Sequence, residues 1–382
     1  PDYEAYLFDQ WRQGAFGPFW QQPGIWAEGF YSNYVPANCV HMSSWFDPYS
    51  LTACTNYRGL KHRGPQRLIL GPWTHGNRSV QIFGDVDFGP AATVDSWAGN
   101  WRAYRLQHFN SVIHSTENPE PLVRVFRMGG GTGQRTSEGH LDHGGEWLSL
   151  TGWPAPNATM VRYHPQACGS LNTKGPGQGA LSYDFDPAHP VPTIGGNLTS
   201  LEPVAVGGAF NQVEAAAFFG CTPPYLPLAS RPDILVFQTE PLTTDTDIVG
   251  EIACTLTIST DAPDTDFTAK LIDVHPPSQD YPSGYAMILT DGICRLRYAE
   301  DPTKERFRTP GERVTITITL YPTANRFRAG HRIRLDISSS NFPKFDVNPN
   351  TGEPDGAAIR RRIAVNTIHL EASHLLLPHL SA

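Results

Sequence analysis

Residues 39–76 read CVHMSSWFDPYSLTACTNYRGLKHRGPQRLILGPWTHG, and this stretch decides the fold. Cys39–Trp45 is a short run suited to a strand. Asp47-Pro48 follows it, a good N-cap and first helical residue, because the carboxylate accepts from free N–H groups and proline has none to lose. Residues 49–62 then suit a helix that Arg63-Gly64-Pro65 ends. Arg67–Leu70 is a compact apolar run of the kind found in buried parallel strands. Gly71-Pro72 stops it, and Trp73-Thr74-His75-Gly76 forms the loop beyond. Strand, helix, strand predicts one βαβ unit. A right-handed crossover makes its strands parallel, and adjacent strands lie about 4.8 Å apart. Asp47 and His75 then emerge at the same edge of the sheet, where open α/β sheets bind ligands.

A carboxylate that holds an imidazole in one tautomer is the supporting half of a nucleophilic triad. In α/β-hydrolases the chain order is serine, acid, histidine, and Asp47 before His75 fits it. The plainer alternative is a capping aspartate and a loop histidine. The nucleophile is the difficulty. The elbow G-x-S-x-G needs glycine on both sides of a strained turn, and no serine here has a glycine two residues before it. Cys294 follows Gly292 at that spacing, but Leu296 takes the far position and the segment reads as a strand. In the expected order a nucleophile and its oxyanion hole would lie N-terminal to Pro1, so a processed or truncated piece is expected.

Outward from this unit, Tyr3, Tyr6, Leu7 and Trp11 have amphipathic helical spacing, broken by Gly14, Gly17, Pro18, Pro23 and Gly24. Trp97, Trp101, Tyr104, His108 and Val112 mark one face of a helix over 96–114. Glu117-Asn118-Pro119-Glu120-Pro121 is a polar linker and the best boundary. Beyond it the texture changes to short alternating segments: 122–126, 234–239, 253–260, 267–274, 314–321 and 332–340. VTITITLY at 314–321 is nearly pure period-two alternation. With Gly 35 and Pro 34 in the chain, turns are frequent, and 121–382 reads as an all-β sandwich or jelly roll.

Composition narrows the function. The net charge of −8 argues against a nucleic-acid partner, which needs a basic patch. No apolar run reaches the roughly 18 residues of a membrane span, and no signal peptide is visible. The six cysteines form no C-x-x-C pair, so they read as buried small hydrophobes. Sequons occur at Asn77, Asn157 and Asn197. His140-Leu141-Asp142-His143 could ligate a metal, but no third and fourth ligand can be assigned and a turn is the default. Gly129–Gly133 completes no phosphate-binding motif and reads as a turn. Asp261, Asp264 and Asp266 suggest a turn before a strand more than a calcium loop. Arg360-Arg361-Arg362 reads as a solvated face. Trp45 and Trp73 read as core, with the wall of an acyl pocket as the alternative.

SSWFDPYS at 43–50 and GPQRLILGPWTHG at 64–76 resemble the cocaine esterase/NonD (CocE/NonD) hydrolases. These are related to X-Pro dipeptidyl-peptidases, α-amino acid ester hydrolases and glutaryl acylases. The likeness continues through VFRMGGG at 125–131, EGHLDHGGEW at 138–147, YDFDPAHPVPTIGG at 183–196, DAPDTDFTAKLIDVHP at 261–276 and GHRIRLDISSSNFPKFDVNPNTG at 330–352. It implies α/β plus all-β architecture. Residues 1–30 resemble the end of a helical cap. Residues 31–120 resemble the C-terminal part of an α/β-hydrolase domain, and 121–382 a jelly-roll β-sandwich. It places the triad acid on Asp47 and the base on His75, with no counterpart here for the serine or the oxyanion hole. It further implies an ester, amide or peptide substrate, no metal or organic cofactor, and a partner in an N-terminal portion bearing the nucleophile. The rival expectation is a non-catalytic jelly-roll binding or assembly subunit. An oligomer is compatible with either, and the compartment stays open.

Overall fold

The computed structural model describes residues 2–116 and 121–381. Helix α1 (Asp2–Trp11) forms as its spacing predicts, yet none of its residues is buried. The βαβ unit follows. β1 (Cys39–Ser44) and β2 (Gln66–Gly71) pair in parallel, in register from Cys39 opposite Gln66 to Ser44 opposite Gly71. Helix α2 (Ser50–Leu60) joins them and buries Cys54, Tyr57 and Leu60 on one side.

β3 (Ile82–Phe83) and β4 (Val86–Asp87) make a small hairpin. The helix expected over 96–114 is two helices, α3 (Asp95–Ala98) and α4 (Trp101–Ile113). Gly99, at φ +69°, ends the first, and the Asn100 side chain accepts from Ala103 N at 2.8 Å to cap the second. The apolar face is shared across this break: Tyr104 is buried, its ring stacked on Trp101, while Val112 is exposed. Residues 117–120 of the expected linker lie outside the described residues.

The remaining strands are β5 (Val123–Met128), β6 (Leu141–Asp142), β7 (Gly145–Leu150), β8 (Ala158–Pro165), β9 (Leu171–Asn172), β10 (Ala180–Phe185), β11 (Leu235–Gln238), β12 (Thr246–Thr260), β13 (Asp266–His275), β14 (Tyr285–Arg295), β15 (Val314–Phe327), β16 (Arg332–Ser338) and β17 (Ala364–Leu380). The fold is thus α/β plus all-β, as the sequence predicts. The ten-stranded sheet runs β1-β2-β5-β15-β12-β17-β8-β9, with β7 on β5 and β10 on β17. The second sheet is β11-β16-β13-β14, and β6 adds to the β3-β4 hairpin.

Strand β15 shows the alternation its sequence encodes. Val314, Ile316, Ile318 and Leu320 are buried; Thr315, Thr317 and Thr319 are exposed. On the outer face Thr315 pairs with Thr257 of β12 at 3.0 Å, a cross-strand hydroxyl contact. The inner residues join Phe267 and Leu271 of β13 and Leu335 and Ile337 of β16 in one core, which also includes Trp45, Phe46, Leu68 and Leu70. β5 accounts for that continuity. Its Val123–Val125 pairs in parallel with Leu68–Leu70 of β2, and its Met128 lies opposite Asn325 of β15. The parallel sheet and the antiparallel sheet are one.

Candidate active site

β1 and β2 end level, at Ser44 and Gly71, so the chains leaving them run side by side. Their pairing continues past the strands: Trp45 N donates to Gly71 O at 2.9 Å and Phe46 N to Trp73 O at 3.1 Å. Asp47 comes next on one chain, and His75 on the other. The geometry expected from the βαβ reading is met: His75 Nδ1 lies 3.1 Å from Asp47 Oδ2. Asp47 is buried, whereas the His75 side chain is 54% exposed.

Asp47 is not the N-cap of α2. That position falls on Tyr49, whose own side chain makes no capping bond. Asp47 Oδ1 instead accepts from Tyr49 N at 2.9 Å, a tight turn that leaves Oδ2 for the imidazole. The carboxylate is therefore held on one oxygen and engaged with His75 on the other. The Tyr49 ring lies edge-on to the His75 ring, with centroids 5.2 Å apart. An Nδ1–H donated to Asp47 puts the basic lone pair on Nε2.

A cavity of about 250 Å³ opens beside His75. Thr74, Ile82 and Phe83 line one side; Leu198, Ser200 and Glu202 line another. The second wall belongs to the loop after β10. No sequence signal pointed to it; Asn197, at its base, read only as a glycosylation sequon. Asn197 is buried, and its side-chain amide donates to Trp45 O, anchoring the loop to the Asp47 turn and keeping that sequon from solvent. Ser200 takes a left-handed backbone, φ +61°.

Trp45 and Trp73 are core residues and line no part of this cavity. Trp45 Nε1 donates to Phe126 O at 2.6 Å and Trp73 Nε1 to Ala92 O at 2.7 Å. Cys294 lies in β14, and burial pushes its thiol up to about 12, the opposite of an activated nucleophile. Asp264 and Asp266 already face guanidinium groups, Arg297 at 2.7 Å and Arg295 at 3.0 Å, and Asp261 pairs with Arg362. Those carboxylates are matched to arginine rather than to calcium. All six cysteines are free; Cys54 and Cys254 are buried, but Cys168 is exposed, contrary to the expectation of uniform burial. Of the tetrapeptide 140–143, only His143 joins a group of convergent ligand atoms.

Comparison with known proteins places the chain in a family. Residues 116–375 match the family model of the X-Pro dipeptidyl-peptidase C-terminal non-catalytic domain, and residues 2–77 match that of X-Pro dipeptidyl-peptidase (S15 family). Cocaine esterase from Rhodococcus sp. (strain MB1 Bresler) is 33% identical over 357 residues, covering 88% of this chain and 55% of its own length. An aminopeptidase from a marine sediment archaeon, Thaumarchaeota archaeon, superposes with a TM-score of 0.77 at 23% identity, over 98% of this chain and 60% of that one. An α-amino acid ester hydrolase superposes with a TM-score of 0.77 at 24% identity, over 99% and 61%. The chain spans about half the length of the curated relatives it matches.

Proposed function

The chain belongs to the CocE/NonD hydrolase family, kin to the X-Pro dipeptidyl-peptidases, and from that membership we propose that it carries the acid and base of a serine hydrolase acting on ester or amide bonds. The observation that carries the proposal is the Asp47–His75 pair at 3.1 Å, on the ligand-binding edge of a parallel sheet and beside a cavity. In this reading a serine Oγ, contributed by protein outside these 382 residues, attacks the substrate carbonyl. His75 Nε2 takes the serine proton as the C–O bond forms, then gives it to the leaving alcohol or amine as the tetrahedral intermediate collapses. Water repeats the cycle on the acyl-enzyme and frees the acid. Asp47 holds the ring in the Nδ1–H tautomer and balances the imidazolium charge. No step calls on a metal or an organic cofactor.

In this reading part of substrate choice falls to the loop around Leu198, Ser200 and Glu202, which lines the cavity beside His75. The experiment is labelling with a serine-directed fluorophosphonate. The 382-residue chain alone is expected to stay unlabelled, and the complete protein to take one label on a serine outside this chain. Stoichiometric labelling of any serine within it, Ser200 included, overturns the assignment of the nucleophile.

A further inference from the structure

The tetrapeptide His140-Leu141-Asp142-His143 lacked partners in the sequence; the fold brings them from far downstream. Asp273 and His275 alternate at the end of β13, so their side chains share a face. One ligand atom from each of His143, Asp273 and His275 lies within 4.8 Å of the other two, and all three residues are buried.

Hydrogen bonds around the group orient it. Asn325 Nδ2 donates to Asp273 Oδ2 at 2.9 Å, which leaves Asn325 Oδ1 as an acceptor. His143 Nε2 lies 2.8 Å from that oxygen. His143 therefore carries its proton on Nε2 and its lone pair on Nδ1. His331 Nδ1 lies 2.8 Å from Asp273 Oδ1 and holds the carboxylate from its other side. Outer hydrogen bonds of this kind orient metal ligands and fix their tautomers. His275 is only 5% exposed, and its Nε2 has no hydrogen-bond partner. A buried ring nitrogen without a partner is costly, and a bound cation is a partner a lone pair can take.

The group borders a cavity of about 200 Å³ whose rim is the glycine loop 130–133. Gly130 and Gly133 have φ of +103° and +71°, and a Cβ at Gly131 would lie 2.5 Å from the His143 carbonyl carbon. Glycine is what lets the loop close over His143. Arg328, also on the rim, donates to Gly131 O at 2.7 Å.

We propose that His143, Asp273 and His275 bind a divalent transition-metal ion, with an open coordination position facing this cavity. Two imidazoles and a carboxylate suit Zn²⁺ and its first-row neighbours, whereas Mg²⁺ and Ca²⁺ favour all-oxygen sets. At metal–ligand distances near 2.0–2.2 Å, tetrahedral ligand atoms lie roughly 3.4 Å apart, so modest side-chain rotations close the set. The ion would clamp the loop before β7 to the end of β13.

The test uses the full chain with its accessible thiols alkylated, stripped by chelator and titrated with Co²⁺, then Zn²⁺. The expected result is one equivalent of Co²⁺ with the visible bands of a four- or five-coordinate ion, displaced by Zn²⁺, and no sulfur-to-metal charge transfer. His275→Gln and His143→Gln should each weaken binding at least about 100-fold, since losing even an outer partner costs 10–100-fold. His140→Gln should leave it unchanged. The Co²⁺-loaded parent should also show paramagnetically shifted proton signals from two imidazoles, a reading that needs no variant to fold. Absence of stoichiometric uptake by the parent, or affinity kept within about threefold in both ligand variants, overturns the proposal.

Discussion

His75 and His275 each stand near an aspartate, yet the first ring is 54% exposed and the second 5%. Asp47 holds its histidine with one oxygen, while a tight turn occupies the other. Asp273 is held on both oxygens, by His331 and Asn325, and the rings of three histidines pack together beside it: His275–His331 centroids lie 4.1 Å apart and His143–His275 5.2 Å. In the two proposals the same residue types serve different ends according to burial. An exposed imidazole on one carboxylate can gain and lose protons against a substrate. A buried set out of reach of solvent is suited to presenting lone pairs. The two groups differ also in where their side chains come from: the first sits on a sheet edge beside β1 and β2, whereas the second draws every side chain from beyond residue 121, with the His143 backbone N–H donating back to Asp87 O at 3.0 Å.

The sharpest test of that difference divides the chain. Residues 121–382 expressed alone are expected to unfold cooperatively. Residues 1–120, with two parallel strands and no β5, are expected to be insoluble, because an open strand edge and an uncovered apolar face favour aggregation. A soluble 1–120 fragment with a cooperative melt would break the comparison. Next in size is Asp47→Asn in the complete enzyme. Asparagine can donate to the ring and favour the wrong tautomer, and the serine-protease precedent loses about 10⁴ in kcat, about 5 kcal/mol of barrier. Its thermal midpoint should not move, and His75→Ala should add little to it because both disable one unit. Turnover within about threefold of the parent, against that expected ~10⁴, would remove Asp47 from the triad.

Asp273→Asn should behave in the opposite way. Removing one partner from a buried charged network costs about 3–5 kcal/mol, read by urea unfolding, while turnover of the complete enzyme stays unchanged. A loss under about 1 kcal/mol, typical of exposed pairs, would make the two sites alike after all. The smallest effect is a slope. Lys270, three residues before Asp273 on β13, is buried, and burial pushes its amine down to about 8. Asp291 and Asp336 oppose that shift; Lys344 and Arg334 reinforce it, and Gln212 Oε1 accepts at 3.5 Å. Unfolded, the lysine keeps its proton to its ordinary value of 10.5, so the folded state binds fewer protons between about 8 and 10.5 and gains stability as pH rises through that window. Lys270→Met should therefore hold its greatest advantage below pH of about 8 and lose it by about 10.5. A stability difference that stays flat with pH would contradict a buried, depressed Lys270.

Much of this was legible because local signals agreed. Strand, helix and strand in 39–76 each carry their own punctuation, and parallel pairing follows from the crossover, so the contact of Asp47 with His75 was implied by two turn positions. Strand β15 announced itself by alternation. The helix over 96–114 was legible in its aromatic face but not in its break, since Gly99-Asn100 reads as an interruption only once its φ is known. The capping role suggested for Asp47 failed for a related reason: Asp-Pro favours a cap, but the helix starts only after Tyr49, and the carboxylate is shared between the Tyr49 N–H and His75. The wall at 198–207 and the Asp273–His275 partners of His143 were not legible. Both depend on packing between segments more than a hundred residues apart, and periodicity within a segment carries no information about such partners.

β5 has a genealogical consequence. A recombination event that exchanged everything after residue 121 for a cousin's segment would carry off the strand that pairs with Leu68–Leu70 and install another in its place. The donor would have to bring its own Val123–Val125 equivalents with matching side-chain volumes, or the imported half would seat badly on the resident one. Lineages of this chain are accordingly expected to travel as whole genes, and a laboratory chimera is better spliced ahead of β1 than at the polar stretch that looks like the natural seam.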